Sequence, residues 1–179
     1  MKESIICAGF GGQGVMLLGK VLAQAALEEK KQLTWIPSYG SAMRGGTAFC
    51  MVVIADHEIA SPYVDTCDTL FVFNQPSWAA FKARVKKGGL VILNSTLIHD
   101  QRPPATLQIS PAPFTEIASA LGDVRVANMV ALGRYLKEKD ILHRETVLRV
   151  FSAMAPKNKP HLLELNQKAL EKGYNYSLV

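Results

Sequence analysis

Six residues near the start of the chain, Gly9-Phe10-Gly11-Gly12-Gln13-Gly14, place glycines in the pattern G-x-G-x-x-G. A loop of this kind does its chemistry with bare backbone. Gly9 permits a tight turn, Gly11 lets the main chain approach a phosphate with no Cβ in the way, and Gly14 lets the following helix pack close to the preceding strand. The first amides of that helix then face an anion, and Gln13 adds a side-chain amide. The plainer alternative is a glycine turn that serves packing alone. A second segment, Ser38-Tyr39-Gly40-Ser41-Ala42-Met43-Arg44-Gly45-Gly46-Thr47, sets a single cation, Arg44, on another glycine backbone. A guanidinium there suits two-pronged contact with a phosphate or carboxylate, against the alternative of a surface arginine in a loop. A dinucleotide needs one more group, an acid about 20 residues beyond the glycine loop that holds the ribose hydroxyls at the end of the second strand. That strand ends Leu33-Thr34-Trp35-Ile36-Pro37-Ser38, without an acid; Glu28 and Glu29 fall earlier, and no arginine stands near for a 2′-phosphate. The loop therefore suits a phosphate or a partner's backbone better than it suits NAD.

Other chemistry is absent from the pattern. Cys7, Cys50 and Cys67 are odd in number, far apart in sequence and in no CxxC, which excludes a ferredoxin-like cluster or zinc ribbon carried by spacing alone. Cys7 and Cys50 lie in apolar runs, where a buried, inert thiol is expected. His57, His99, His143 and His161 share no ligand-like spacing and read as surface or turn residues. No nucleophile–base pair can be placed.

Elements of a sheet must hold the two glycine segments. Residues 4–8 read as a buried strand, 15–29 as a helix with Val15, Leu18, Leu22 and Ala26 on one face, and 33–36 as a second strand stopped by Pro37. Residues 48–55 are a strong strand, and 59–61 read as its short return strand, so an antiparallel hairpin is expected over 48–60. A strand-then-helix rhythm follows. Strands are expected at 70–73, 90–93 after a Gly88-Gly89 turn, and 106–109 between prolines; helices are expected at 76–84, 114–121, 126–137, 144–154 and 161–172. Such alternation predicts an α/β, Rossmann-like, mostly parallel sheet with flanking helices, forming a single domain over residues 1–179. The Arg44 segment then falls beside the glycine loop at the C-terminal edge of the sheet, where open α/β sheets bind ligands.

With 179 residues the chain can bury a core of its own. Its net charge of +5 comes from scattered lysine pairs rather than a stripe, which argues against nucleic acid and allows a mild attraction for anionic ligands or an acidic partner. No apolar run approaches the length of a membrane helix or a signal peptide, so a cytoplasmic protein is expected.

Taken in order, GFGGQGV at 9–15, SYG…MRGGTA at 38–48, FNQPS at 73–77, GGLVILNS at 88–95 and VANMVALG at 126–133 resemble the gamma subunit of 2-oxoacid:ferredoxin (acceptor) oxidoreductases. The resemblance covers most of the chain and points to the 2-oxoglutarate or 2-oxoisovalerate type over pyruvate, with an indolepyruvate-type small subunit also close. Ala42 and Phe49 depart from the pattern. Such enzymes decarboxylate a 2-oxoacid on thiamine diphosphate and Mg, pass electrons through iron–sulfur clusters to ferredoxin, and transfer the acyl group to coenzyme A. The resemblance implies a chain that is non-catalytic by itself and binds no cofactor tightly, the thiamine diphosphate, Mg and clusters belonging to partner subunits. It implies a surface that helps form the coenzyme A and active-site region from Gly9, Gly11, Gly12, Gln13, Gly14, Tyr39, Gly40, Arg44, Gly45, Gly46, Thr47, Asn74, Gln75 and Asn128. The implied partners are alpha, beta and delta subunits, with ferredoxin reached through the complex. Alone, the chain is expected to dimerise or aggregate through the face meant for them. A free-standing nucleotide-binding oxidoreductase and a regulatory Rossmann-like domain are the alternatives.

Overall fold

A strand with apolar side chains at successive positions must be covered on both faces, and residues 2–10 form such a strand. In the computed structural model, which describes residues 1–38, 47–99, 104–154 and 160–177, it is β1 (Lys2–Phe10), at the centre of the sheet. Ile5 and Cys7 face one apolar layer and Ile6 and Ala8 the other. The remaining strands are β2 (Gln32–Ser38), β3 (Thr47–Ala55), β4 (Cys67–Val72), β5 (Val85–Asn94) and β6 (Gln108–Ala112), in the order β2-β3-β1-β4-β5-β6. β1, β4, β5 and β6 run parallel, while β3 is antiparallel to both β1 and β2.

The helices divide unequally. α1 (Val15–Glu28), α3 (Phe114–Ala120), α4 (Ala127–Glu138), α5 (Arg144–Met154) and α6 (Pro160–Tyr174) contribute to the layer on the Ile5 face. The other face is covered by α2 (Gln75–Phe81), through Trp78 and Phe81, together with Val64, Ile98 and half-buried Ile59. Phe49, one of the two departures noted above, packs here on Phe81 with ring centroids 5.0 Å apart. α4 and α6 meet backbone to backbone: a Cβ on Gly133 would stand 2.8 Å from the Tyr174 amide nitrogen. No helix among the described residues is long and apolar enough to cross a membrane.

The α/β rhythm is present, and four local expectations are corrected. The antiparallel hairpin is made by β2 and β3, joined through residues 39–46, and not by 48–60; residues 59–61 are not a strand. Pro37 does not stop β2, which runs to Ser38, and β6 contains Pro111. Both are edge strands, where a missing N–H leaves no ladder bond unmade. Gly88 and Gly89 lie inside β5, which begins at Val85 and shifts register against β4 between Cys67 and Thr69. The helix expected over 76–84 tightens to a 3-10 turn at Lys82–Arg84.

At the N-terminal edge of the sheet a polar cluster ties β1 to β4. Thr69 Oγ1 donates to Glu3 Oε1 at 2.6 Å, with Lys139 Nζ 3.4 Å from Glu3 Oε2. Beside it, Asp68 accepts from the Ser4 amide and hydroxyl and pairs with Lys86 at 2.7 Å.

Candidate functional site at the glycine loop

The C-terminal edge of β1 delivers the chain directly into the glycine loop. Gly12 and Gly14 hold left-handed φ values of 91° and 74°, which only glycine adopts at little cost. Gly14 is the N-cap of α1 and no side chain caps the helix, so its first-turn amides are left without side-chain acceptors. Gly11 and Gly12 are exposed, and a Cβ built on either meets nothing within 4 Å. A bare, open backbone therefore stands in front of a helix N-terminus, which fits an anionic group.

The loop is braced from three elements. Gln13 Oε1 accepts from the Phe10 amide at 2.7 Å and from Asn74 Nδ2 at 2.8 Å. Its carbonyl is thus turned inward, and Nε2 is the end it has to offer. Asn74 is buried and also caps α2, its Oδ1 accepting from the Ser77 amide at 2.9 Å. Both ends of the Asn74 side chain are held internally. Gln75 opens α2 and is half-buried. Asn128, on α4, donates through Nδ2 to the Gly14 carbonyl at 3.2 Å. That bond fixes the orientation of the amide, and its Oδ1 is left buried with no hydrogen-bond partner among the described residues. A buried acceptor left unmade costs about 1–3 kcal/mol, so Asn128 Oδ1 is a place where an incoming donor gains.

Thr47 opens β3 directly opposite Phe10. Ser38, at the end of β2, pairs with Phe49. The strand ends that flank residues 39–46 thus lie at the glycine-loop edge. Tyr39, Gly40, Arg44, Gly45 and Gly46 lie outside the described residues. Of the sequence-predicted site residues, the structure brings together the glycine loop, Thr47, Asn74 and Asn128, with Gln75 at the margin.

Several residues at this edge escaped sequence reasoning. Asp123 and Arg125 line the depression that contains Asn128, and Arg125 also lines the one at Gly12 and Gln13. The guanidinium is 2.7–3.0 Å from both Asp123 oxygens, and its hydrogen bonds, with one from the Arg125 amide, hold the Asp123 carboxyl below the ordinary carboxylate range. The turn signal at Gly122-Asp123 could have pointed to them. Four of the seven large apolar side chains exposed among the described residues, Phe10, Leu17, Leu97 and Val124, also line the depressions around the loop. Single exposed apolar residues need no explanation, but a gathering of them marks an interaction surface. No group of three His, Cys, Asp or Glu among the described residues is placed to hold a metal.

Comparison with known proteins bears on the family and the fold. The family model described as pyruvate ferredoxin/flavodoxin oxidoreductase matches residues 4–176. The ketoisovalerate oxidoreductase subunit VorA of Methanothermobacter marburgensis is 39% identical over 176 residues, covering 95% of this chain and 35% of that protein. The chain thus spans about a third of the length of that relative. The crystal structure of the gamma subunit of a keto/oxoacid ferredoxin oxidoreductase from Geobacter sulfurreducens superposes with a TM-score of 0.82 at 30% identity, covering 96% of each chain. A 2-oxoglutarate:ferredoxin oxidoreductase from Magnetococcus marinus, solved with 2-oxoglutarate, coenzyme A and succinyl-CoA bound, gives a TM-score of 0.85 at 25% identity, covering 96% of this chain and 30% of that one.

Proposed function

The chain belongs to the pyruvate ferredoxin/flavodoxin oxidoreductase family, and from that premise we propose that it is the gamma-type subunit of a thiamine-diphosphate-dependent 2-oxoacid:ferredoxin oxidoreductase, acting on 2-oxoglutarate or 2-oxoisovalerate. It is non-catalytic by itself. Its glycine-loop edge docks on the alpha and beta subunits, with delta and ferredoxin reached through the complex, and lines the region that receives coenzyme A. The observation that carries this reading is the ring of exposed Phe10, Leu17, Leu97 and Val124 around a loop of open backbone. An apolar rim is what a partner subunit covers, and bare amides at its centre suit a pyrophosphate.

Gly11, Gly12, the first amides of α1 and Arg44 are the groups that would hold the coenzyme A phosphates, with Asn128 Oδ1 an acceptor for a donor on the same ligand. Coenzyme A supplies the thiol that takes up the acyl group. This chain's own part is to bind, to orient and to exclude water.

Co-expression tests the assembly. With its alpha and beta subunits the chain should co-elute, and Leu17→Glu combined with Val124→Glu should abolish co-elution while leaving the thermal melt of the free chain unchanged. A double variant that still co-elutes would sink the docking reading. The coenzyme A reading has its own measurement. In the assembled complex, Arg44→Ala should lower kcat/KM for coenzyme A about tenfold to hundredfold, the scale of a charge-assisted contact, and Arg44→Lys should recover only part of the loss.

A further inference from the structure

Cys7 and Cys50, far apart in sequence, stand directly opposite each other on β1 and β3, in a register that runs unbroken from Lys2↔Ala55 to Phe10↔Thr47. Residues opposed in this way hold their Cα atoms about 4.5–5.5 Å apart and turn their Cβ atoms to the same face. A disulfide bridges Cα separations of about 4.4–6.8 Å. Both residues are 0% exposed, both are free thiols, and both belong to the layer beneath α1.

The two thiols are not equivalent. Cys50 donates to the Val15 carbonyl, in the first turn of α1, at 3.3 Å, and its sulfur lies in the space left by the missing Cβ of Gly19. The Cys7 thiol, against the opposing effect of burial, and the Trp35 indole and Gly19 amide favour the Cys50 thiolate, so its pKa is held below the usual thiol value. Burial, with the neighbouring Cys50, pushes Cys7 well above it. Cys67 lies in the opposite layer, and burial pushes its pKa up to about 12.

We propose that Cys7 and Cys50 form a redox modification site, a cross-strand thiol pair that a peroxide closes to a disulfide and a thiol reductant reopens. In the first step one of the two sulfurs, as its thiolate, attacks a peroxide oxygen; the O–O bond breaks, a sulfenic acid forms on that sulfur, and hydroxide leaves. In the second step the opposite thiol attacks that sulfur; the S–S bond forms, the S–O bond breaks, and the departing hydroxide takes the second thiol's proton. Two thiols and one peroxide give one disulfide and two waters once the first hydroxide is protonated. Peroxide is scarcely larger than water and reaches the buried pair through local opening of the surrounding structure. Oxidation at this site is therefore slower than at a surface thiol. A disulfide sulfur carries no proton, so the Val15 carbonyl loses its donor and β1 becomes tied to β3 two residues below Gly9. The redox state of the pair is thereby transmitted to the root of the glycine loop, whatever that loop meets.

Peptide mapping tests the pair. The purified full-length chain is treated with hydrogen peroxide under native conditions, alkylated, and digested without reductant. The expected product is one linked peptide pair, Cys7 with Cys50, about 2 Da lighter than its two reduced peptides together and separated by dithiothreitol. Cys67 should remain alkylatable after unfolding, and Cys67→Ser should leave the link intact. Cys50→Ser and Cys7→Ser should each abolish the link, leaving a single thiol that prolonged peroxide carries only to sulfenic and sulfinic forms. The same dose in denaturant should spread the link over all three pairings. A native protein whose thiols stay reduced until it unfolds, whose Cys67 oxidises first, or which gives the mixed pairings of the denatured chain would overturn the proposal.

Discussion

At the scale of single residues, the glycine loop separates a structural glycine from a functional one. Gly14 holds φ 74°, and a Cβ there would come 2.5 Å from Asn128 Nδ2. Gly14→Ala should therefore cost about 1–3 kcal/mol in urea unfolding. Gly11→Ala meets no neighbour and should stay within about 0.5 kcal/mol of the parent, so any loss of coenzyme A use in that variant reports on the bare backbone itself. The spacing of the glycines was legible in the sequence. The brace from Asn128 was not, because 114 residues separate it from Gly14 and only the packing of α4 brings them together. The acids at the other edge give a pH signature with two signs. Burial raises the Glu3 pKa against the opposing pull of Thr69 and Lys139. Its stabilising contribution is full below the ordinary carboxylate range and is lost as pH rises through its raised value. Burial also acts on Asp68, but bonds from Lys86 and Ser4 outweigh it and hold the pKa low; its contribution is present above the ordinary range and is lost as pH falls. Urea melts from pH 4 to 7 should show Glu3→Gln gaining on the parent as pH rises. Asp68→Asn should lose about 1–2 kcal/mol at neutral pH and converge with the parent in acid.

At the scale of elements, the insertion of β3 between β1 and β2 decides what the glycine loop can recognise. In a dinucleotide fold the second strand neighbours the first, so an acid at its end reaches the ribose. Here the end of β2 stands two strand spacings from β1, about 9–10 Å. Ser38→Asp, which supplies the missing acid, should consequently create no NADH site; saturable binding in a fluorescence titration would refute this account. Strands and helices were legible because apolar runs and 3.6-residue spacing are local. Strand order was not, since nothing in the run 48–55 states which neighbour it takes. The prolines misled for the same reason: Pro37 and Pro111 read as stops only if their strands are central, and both lie on edges.

At the scale of the whole molecule, charge and apolar surface make different claims on a partner. The net charge of +5 is dispersed, whereas four of the seven exposed large apolar side chains among the described residues gather at one edge. Assembly held by that edge should persist when salt is raised to about 1 M, where the Debye length falls to about 3 Å. Dissociation in salt would move the contact to the lysine pairs instead. The sequence blocks at 9–15, 38–48 and 73–77 made the family legible, since each is a local run that can be read without the fold. The apolar rim was not, because Phe10, Leu17, Leu97 and Val124 come from four separate segments and share no pattern along the chain.

The place of β3 also governs how the chain comes together in time. β2 and β3 pair across a short connection, and hairpins close in about 1–10 μs. β1 then docks on β3 with α1 covering one face, giving three strands and a helix before any residue beyond 55 is needed. A sheet of that size packed on a helix has the minimum for stability of its own. A nascent chain that has emerged only as far as residue 66 should thus already protect the amides shared by β1 and β3 from hydrogen exchange. The other edge of β1 stays open until β4 follows, and until then it is the surface a chaperone would be called on to shield.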